Sequence, residues 1–515
     1  MEGSGGLRTK KSIINASVGS IGLIITTIFS FITRTIFIKN LGEVYVGLMG
    51  LFSNIIVILS LAELGIGSAI IFSLYKPIAE NNKEKIKSLM DTYKKYYRII
   101  GLSVLIIGSA VIPFLGILVN SNEKIDNLTF LYILSLLNTV FSYMFFAYKR
   151  SLLIADQRAY IVNIISNSFT VIMYIVQIIV LILYKSFIGY LIVQLLSNVF
   201  QNIIIGIKVN KDYPFIKDSN IIKLDNYEKM NLFKNIKAIF ISRLSWSILV
   251  ASDNIVLSMI KGVNLVGIYS NYIMITVTID RIIANIFNSI KGSIGNLNTI
   301  NDKEKKEEIF KKTFFLNIWI YGICSICLYI LFNDLINIWI GNRFLLDNGT
   351  VLAIVIIFFL NGTQITCSIY RETMGLFNQY KYIPIISVIL NLLISTILCF
   401  KLGVLGVCLG TIISKVLTQF WIDPFVIYKF GFNKQTKEYF INYFKISIVL
   451  IFITRVVNFL FNYIEVVNCE QLILKSVLVF CTSNIIFYAI FRKNEGFLFI
   501  KHILKNLILK VRRIK

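Results

Sequence analysis

Apolar runs of about 20 residues recur along the whole chain of 515 residues, and a helix of that length spans the hydrocarbon core of a bilayer. Hydrophobic residues make up 56% of the sequence and charged residues 15%. Soluble domains average roughly 45–50% and about 25%. The pattern predicts an all-α polytopic membrane protein with about 14 transmembrane helices. The predicted spans are 12–38, 44–74, 99–119, 128–148, 160–183, 187–207, 238–260, 264–290, 313–333, 350–370, 382–400, 404–428, 440–461 and 471–491.

The basic residues alternate between loops, as the positive-inside bias requires. Alternate loops, counted from the N-terminus, hold 39 of the 52 Lys and Arg residues, and the loops between them hold 6. The alternation predicts an even number of helices with both termini in the cytoplasm. The formal net charge of +25 then reflects topology, so no nucleic-acid partner is expected. The N-terminal stretch has no small-residue cleavage site after a short apolar core, so we interpret it as a retained cytoplasmic segment.

Short segments recur at a nearly constant offset of about 220 residues. The pairs are "LGEVYVG" (41–47) with "KGVNLVG" (261–267), "YKRSLLIADQRAYI" (148–161) with "YRETMGLFNQYKYI" (370–383), and "KSFIG" (185–189) with "KLGVLG" (401–406). The two members of each pair are turns, and each turn connects the equivalent helices in one of two homologous halves. The repeat predicts two six-helix lobes of the same orientation, related by a pseudo-twofold axis along the membrane normal, with two helices appended.

The repeat also predicts the domain organisation. We expect an N-terminal lobe over 1–230, a C-terminal lobe over 231–435, the last two spans within 436–491, and a basic amphipathic cytoplasmic tail over 492–515. A parallel-repeat plan places the substrate path between the lobes, open alternately to either side of the membrane.

Several charged residues fall inside the predicted spans, where a charge at mid-bilayer costs about 2.5–3.5 kcal/mol on the lenient insertion scale. The basic ones in the repeated lobes are Arg34, Arg243, Arg281 and Lys415, and the acidic ones are Glu63, Asp253 and Asp280. The basic set predicts a cationic cavity for an anionic head group, with Arg binding phosphate oxygens in bidentate fashion.

Two other uses of these charges stay open at the level of sequence. The acidic residues can pair internally, Asp253 with Arg243 or Arg34 and Glu63 with Arg281, and so join helices. They can also couple transport to ions. Outside the repeat, Lys445 and Lys475 lie near span ends, so we expect their ammonium groups to reach the interface.

The residue inventory limits the chemistry. His502 is the only histidine, which excludes a histidine-based metal site and a Ser-His-Asp triad. The predicted outer loops are short, the longest being roughly 334–349, whereas a membrane glycan polymerase or ligase commonly needs a sizeable outer loop. We therefore expect a transporter without enzymatic activity, and no cofactor.

Three stretches resemble a known family. "LGEVYVGLMGLFSNIIVILSLAELGIGSAI" (41–70) resembles the first helical hairpin of polysaccharide-export flippases. "SDNIVLSMIKGVNLVGIYSNYIMI" (252–275) is similar to the start of their second lobe, and "YIPIISVILNLLISTILCFKLGVLGVCLGTIISKV" (382–416) to their eleventh and twelfth helices. The family is the oligosaccharide (Wzx-type) flippase branch of the superfamily that also contains the MATE drug exporters and the lipid II flippases.

The resemblance implies a two-lobe, V-shaped transporter of 12 or 14 helices in the bacterial plasma membrane. Its implied substrate is an undecaprenyl-pyrophosphate-linked oligosaccharide, moved to the outer face for assembly into capsule, O-antigen or another polysaccharide. Membrane lipids are implied contacts, a polysaccharide polymerase or glycosyltransferases are candidate partners, and the protein is expected to be a monomer. A MATE-like exporter of organic cations is the main alternative, followed by a glycan polymerase or ligase.

Overall fold

The computed structural model describes residues 2–60, 71, 73–120, 125–217, 251–298 and 302–498. Within these ranges the chain is built of helices, with no β-strand. It divides into two compact units, residues Met1–Gly267 and Ile268–Lys515. The predicted lobe boundary at 230/231 lies outside the described residues, as does 499–515 of the predicted tail, and the boundary at 435/436 stays a prediction.

The first unit contains six helices that the argument below uses. They are α1 (Glu2–Leu59), α2 (Lys83–Ala110), α3 (Leu128–Met144), α4 (Arg150–Ala155), α5 (Ala159–Tyr184) and α6 (Phe187–Asp212). The helix that follows, α7 (Val263–Asn298), begins in the first unit and continues into the second.

The second unit contains the remaining helices of the described chain that are used here. They are α8 (Lys303–Ile340), α9 (Asn348–Thr373), α10 (Ile383–Leu402), α11 (Val404–Leu417), α12 (Gln419–Val426), α13 (Lys437–Phe461) and α14 (Cys469–Phe491).

The described residues contain ten helices that are long and apolar enough to cross a membrane, or eleven if α3 and the helix after its 49° bend count as one span. The chain is therefore a multi-pass membrane protein, as predicted. The predicted total of fourteen is not confirmed. The predicted turn between the first two spans is present as a break inside α1, where Gly42 has the non-helical torsions φ 84° and ψ −178°.

Polar N-cap side chains mark where several helices begin. Asn82 accepts a hydrogen bond from the N–H of Lys85 at 2.9 Å, and Asp302 accepts one from Lys305 at 2.9 Å. The same arrangement precedes α14, where Asn468 accepts from the N–H of Gln471 at 2.9 Å. Each cap satisfies one of the N–H groups that the first turn of a helix leaves without a partner.

The last helix is attached to the second unit by a buried ion pair. Lys475 on α14 is 5% exposed, and its Nζ donates to Asp334 Oδ2 on α8 at 2.8 Å and to the carbonyl of Ile464 at 3.0 Å. The ammonium of Lys475 therefore reaches back to the loop before α14 and pairs there with a carboxylate of a neighbouring helix, and its position at the membrane interface stays a prediction. Lys445, by contrast, is exposed on α13.

Candidate functional site

A ridge of exposed polar residues runs along the C-terminal half of α7. Arg281, Asn285 and Asn288 are all exposed, and their spacing of four and three residues places them on one face of the helix. Arg281 lies near the middle of this helix of 36 residues. An exposed guanidinium within a span needs water or an anion beside it, so this face is the candidate binding surface.

Two hydrogen bonds hold α7 against α8 and direct the ridge away from it. Tyr321 Oη on α8 donates to Asp280 Oδ1 at 2.7 Å, and Tyr272 Oη donates to Asn333 Oδ1 at 2.7 Å. Consecutive residues of a helix lie about 100° apart, since there are 3.6 residues per turn. With Asp280 bound to α8, Arg281 therefore faces another direction.

Asp280, one of the predicted acidic residues, is half-buried and accepts a hydrogen bond from a neighbouring helix. Its carboxylate accepts from Tyr321 and lies beside the guanidinium of Arg281, with which it interacts electrostatically. The arrangement can hold a positively charged Arg281 in place while leaving its donors directed outward.

Two predicted site residues are buried in the first unit. Arg34 on α1 is 8% exposed and interacts electrostatically with Tyr190 on α6. Tyr190 also packs edge-on against Phe37, with ring centroids 5.0 Å apart. Asp253 is 9% exposed. Neither side chain lies on a surface comparable with the ridge of α7.

Lys415 is buried in the second unit. It is 1% exposed, and its Nζ donates to Gln419 Oε1 at 3.3 Å. One turn earlier, Asn391 Nδ2 on α10 donates to Thr411 Oγ1 on α11 at 2.9 Å. Lys415 therefore belongs to a sealed polar seam between helices.

The other two predicted residues, Glu63 and Arg243, lie outside the described residues, and so do the pairings predicted for them. Within the predicted set, Asp280 and Arg281 are neighbours in the sequence and interact electrostatically.

The amides beside Arg281 were not among the predicted site residues, all of which are charged. Asn285 and Asn288 follow it at helical spacing, so a search for polar residues repeating every three or four positions within predicted spans would have found them.

Comparison with known proteins agrees with the predicted fold. The sequence matches the model of a family described as polysaccharide biosynthesis protein over residues 12–290, more than half of the chain. The chain belongs to this family. No curated protein sequence matches significantly.

The solved structures that resemble the chain are those of transporters and flippases. A lipid II flippase, MurJ, in an inward closed conformation has a TM-score of 0.71 at 15% identity, covering 92% of this chain and 98% of its own. An inward-facing multidrug resistance MATE family transporter of the MOP superfamily has a TM-score of 0.62 at 16% identity, covering 78% and 95%. A MOP superfamily transporter from Pyrococcus furiosus, described as having a binding pocket of reverse polarity, has a TM-score of 0.54 at 14% identity, covering 83% and 97%. At these identities the likeness shows that the chain shares the fold of these proteins.

Proposed function

We propose that this member of the polysaccharide biosynthesis family is a flippase for an undecaprenyl-pyrophosphate-linked oligosaccharide. It moves the head group from the cytoplasmic to the outer face of the bacterial plasma membrane by alternating access, for assembly into an exported polysaccharide. The observation that carries the proposal is the exposed Arg281 in the middle of α7, followed on the same face by Asn285 and Asn288.

The guanidinium and the two amides suit the pyrophosphate and the sugars of such a head group. The guanidinium presents paired N–H donors that match phosphate oxygens, and each amide offers both a donor and an acceptor to sugar hydroxyls. No bond needs to form or break in this step, so the site requires binding groups rather than a nucleophile and a base.

The topology of the proposal follows from the charge bias. Both termini lie in the cytoplasm, the lipid-linked substrate enters from that side, and its polyprenyl chain remains in the bilayer. We propose that the protein works as a monomer beside a polysaccharide polymerase. Arg34, Arg243 and Lys415 remain predicted phosphate ligands, and Glu63, Asp253 and Asp280 remain predicted coupling or pairing residues.

The test is flipping of a fluorescent undecaprenyl-pyrophosphate-linked sugar in proteoliposomes, followed by quenching of the label on one leaflet. We expect Arg281→Ala to slow flipping roughly 10- to 100-fold, because a hydrogen bond to a charged group contributes about 1.5–3 kcal/mol. Arg281→Lys keeps the charge but loses the bidentate geometry. Its flipping rate should lie between the rates of the wild type and of Arg281→Ala.

Arg455→Ala is the matched control, since Arg455 is also an exposed arginine within a span but lies on α13, outside the repeat. It should flip at the wild-type rate. Flipping unchanged by Arg281→Ala would remove Arg281 from the mechanism. Efflux of organic cations by a wild-type protein that flips no lipid would place the chain among the drug exporters instead.

A further inference from the structure

Polar side chains form a continuous stripe along α5 in the first unit. The stripe repeats every three or four residues and consists of Asn163, Ser166, Asn167, Thr170, Tyr174 and Gln177. The exposed apolar residues of the same helix follow a different face, and they include Ile164, Ile172, Ile175 and Ile179. A helix with one polar and one apolar face in a membrane turns the apolar face to lipid and the polar face to protein or water.

The neighbouring helix α6 carries a matching stripe of Gln194, Ser197, Asn198, Gln201 and Asn202. Gln201 Nε2 donates to Ser166 Oγ on α5 at 2.9 Å, and Asn198 Nδ2 donates to Asn138 Oδ1 on α3 at 2.8 Å. The three helices are therefore joined by amide and hydroxyl groups.

An arginine completes this cluster. Arg150, the first residue of α4, donates from Nη2 to Asn202 Oδ1 at 2.8 Å. Its Nε–H is buried and has no hydrogen-bond partner in the described part of the chain. A buried donor without an acceptor is costly, and a bound acceptor would relieve that cost.

The amides of the cluster are not sealed inside the unit. Asn138, Asn198 and Gln201 are all half-buried, and Asn198 lies near the middle of α6, a helix of 26 residues. Leu196 and Phe200, on another face of α6, are exposed. Amides open to hydrocarbon would be strongly unfavourable, so their accessible side faces an aqueous space.

The repeat supplies an internal comparison. At an offset of 217 residues the α6 stripe corresponds to Thr411, Ser414, Lys415, Thr418 and Gln419, so every position is polar in both copies. In the second unit all five are between 0% and 6% exposed. The polar stripe is therefore buried throughout in the second unit, whereas in the first unit Asn202 is buried and Asn198 and Gln201 are half-buried.

We propose that the cluster of Asn138, Arg150, Asn198, Gln201 and Asn202 is a carbohydrate subsite, which binds sugar hydroxyls of the substrate. The inference rests on the proposed flippase function and deepens it. When no sugar is present, the amides bond to one another, to the Ser166 hydroxyl and to the Ser142 carbonyl, and they exchange these bonds for neighbouring sugar hydroxyls because each offers a donor and an acceptor. The Nε–H of Arg150 donates to a further sugar oxygen.

The experiment compares two lipids on the full chain in nanodiscs. Binding of undecaprenyl-pyrophosphate-linked N-acetylglucosamine and of undecaprenyl pyrophosphate without sugar is measured for the wild type, Asn198→Leu and Gln201→Met. The wild type is expected to bind the sugar-bearing lipid about tenfold more tightly than the bare lipid. Each variant should reduce that ratio towards one and leave the Kd of the bare lipid unchanged.

Asn484→Leu is the matched control, because the Asn484 amide donates to the carbonyl of Phe480 within its own helix, α14, at 2.8 Å. It should keep the tenfold ratio. A ratio of one in the wild type, or a full ratio in both variants, overturns the subsite. If neither lipid binds, the proposed substrate is wrong, and binding of free N-acetylchitobiose then decides the subsite alone. Loss of N-acetylchitobiose binding in Asn198→Leu supports the subsite. The subsite is overturned if the wild type does not bind the disaccharide, or if Asn198→Leu binds it as well as the wild type does.

Discussion

At the scale of single residues, two equivalent cations of the repeated turn are held by neighbouring protein groups. Lys149 is 5% exposed, donates to Asn210 Oδ1 at 2.6 Å and lies 4.5 Å from the ring of Phe146. Arg371, its counterpart 222 residues later, forms an ion pair with Asp423 and lies 3.7 Å from the ring centre of Tyr380. Both cations hold a turn in place as well as contributing to the positive-inside bias.

The pair of Arg371 and Asp423 gives a prediction about stability. The Asp423 side chain is 2% exposed, so Arg371→Met leaves a buried carboxylate without its cation. We expect a loss of about 3–5 kcal/mol, the typical effect of removing one partner of a buried pair. The measurement is thermal unfolding in detergent.

The neighbouring pair of Lys291 and Glu372 provides the control, since both side chains are 41% exposed. Lys291→Met should change stability by only about 0–1 kcal/mol. Adding Asp423→Leu to Arg371→Met should restore most of the lost stability, because the unpaired charge is removed. Equal shifts for the two single variants would show that burial does not govern these pairs.

At the scale of helices, the two copies of the glycine-flanked turn share a backbone conformation and touch each other. Gly42 and Gly262, at equivalent positions, have φ values of 84° and 95°. A Cβ on Gly47 would lie 2.0 Å from the carbonyl oxygen of Val263, and one on Gly267 would lie 2.2 Å from that of Glu43. Glu43 and Val263 are themselves equivalent at the offset of 220, so the contact is reciprocal and has local twofold symmetry.

This crossing requires glycine at both positions, because backbone approaches backbone without a side chain between them. Gly47→Ala should force the two segments apart and destabilise the protein by about 1–3 kcal/mol, the usual effect of overpacking. The measurement is again thermal unfolding. Gly116→Ala is the control, since no atom lies within 4 Å of its Cβ position, and its effect should be negligible. If Gly47→Ala leaves the stability unchanged, the two segments can move apart at this crossing without loss of stability.

At the scale of the whole molecule, the proposed reaction moves net charge across the membrane. A pyrophosphate carrying about −2 gains roughly 4–5 kcal/mol per 100 mV when it moves out of a negative interior. An inside-negative potential, set by a potassium gradient and valinomycin in proteoliposomes, should therefore accelerate outward flipping. Collapsing the potential should slow it.

The carboxylates offer the alternative source of driving force. If protons are coupled through Asp280, Asp280→Asn should abolish any dependence of flipping on a pH gradient while leaving its dependence on the potential. Flipping that ignores the potential but follows the pH gradient would contradict electrogenic transport without a compensating ion.

How much of the protein could be predicted depends on the kind of information that each feature needs. The helical class and the membrane location follow from hydropathy, and the family from three stretches that resemble it, so each needs only short segments of the sequence. Arg281 could be proposed in the same way, since a charge within a span is visible in the sequence, and its role stays a prediction. Helix bounds are less certain from sequence, and the predicted first two spans meet at Gly42 within α1.

The tertiary structure decided which polar residues are covered by neighbouring helices. Asn198 and Lys415 occupy equivalent positions of the repeat, yet Asn198 is half-buried and Lys415 is 1% exposed. Lys475 lies near a span end in the sequence but pairs with Asp334, 141 residues earlier. Periodicity determines which residues share a face of a helix. Only the packing of helices distant in sequence determines whether that face is covered by a neighbour, exposed to lipid or open to water.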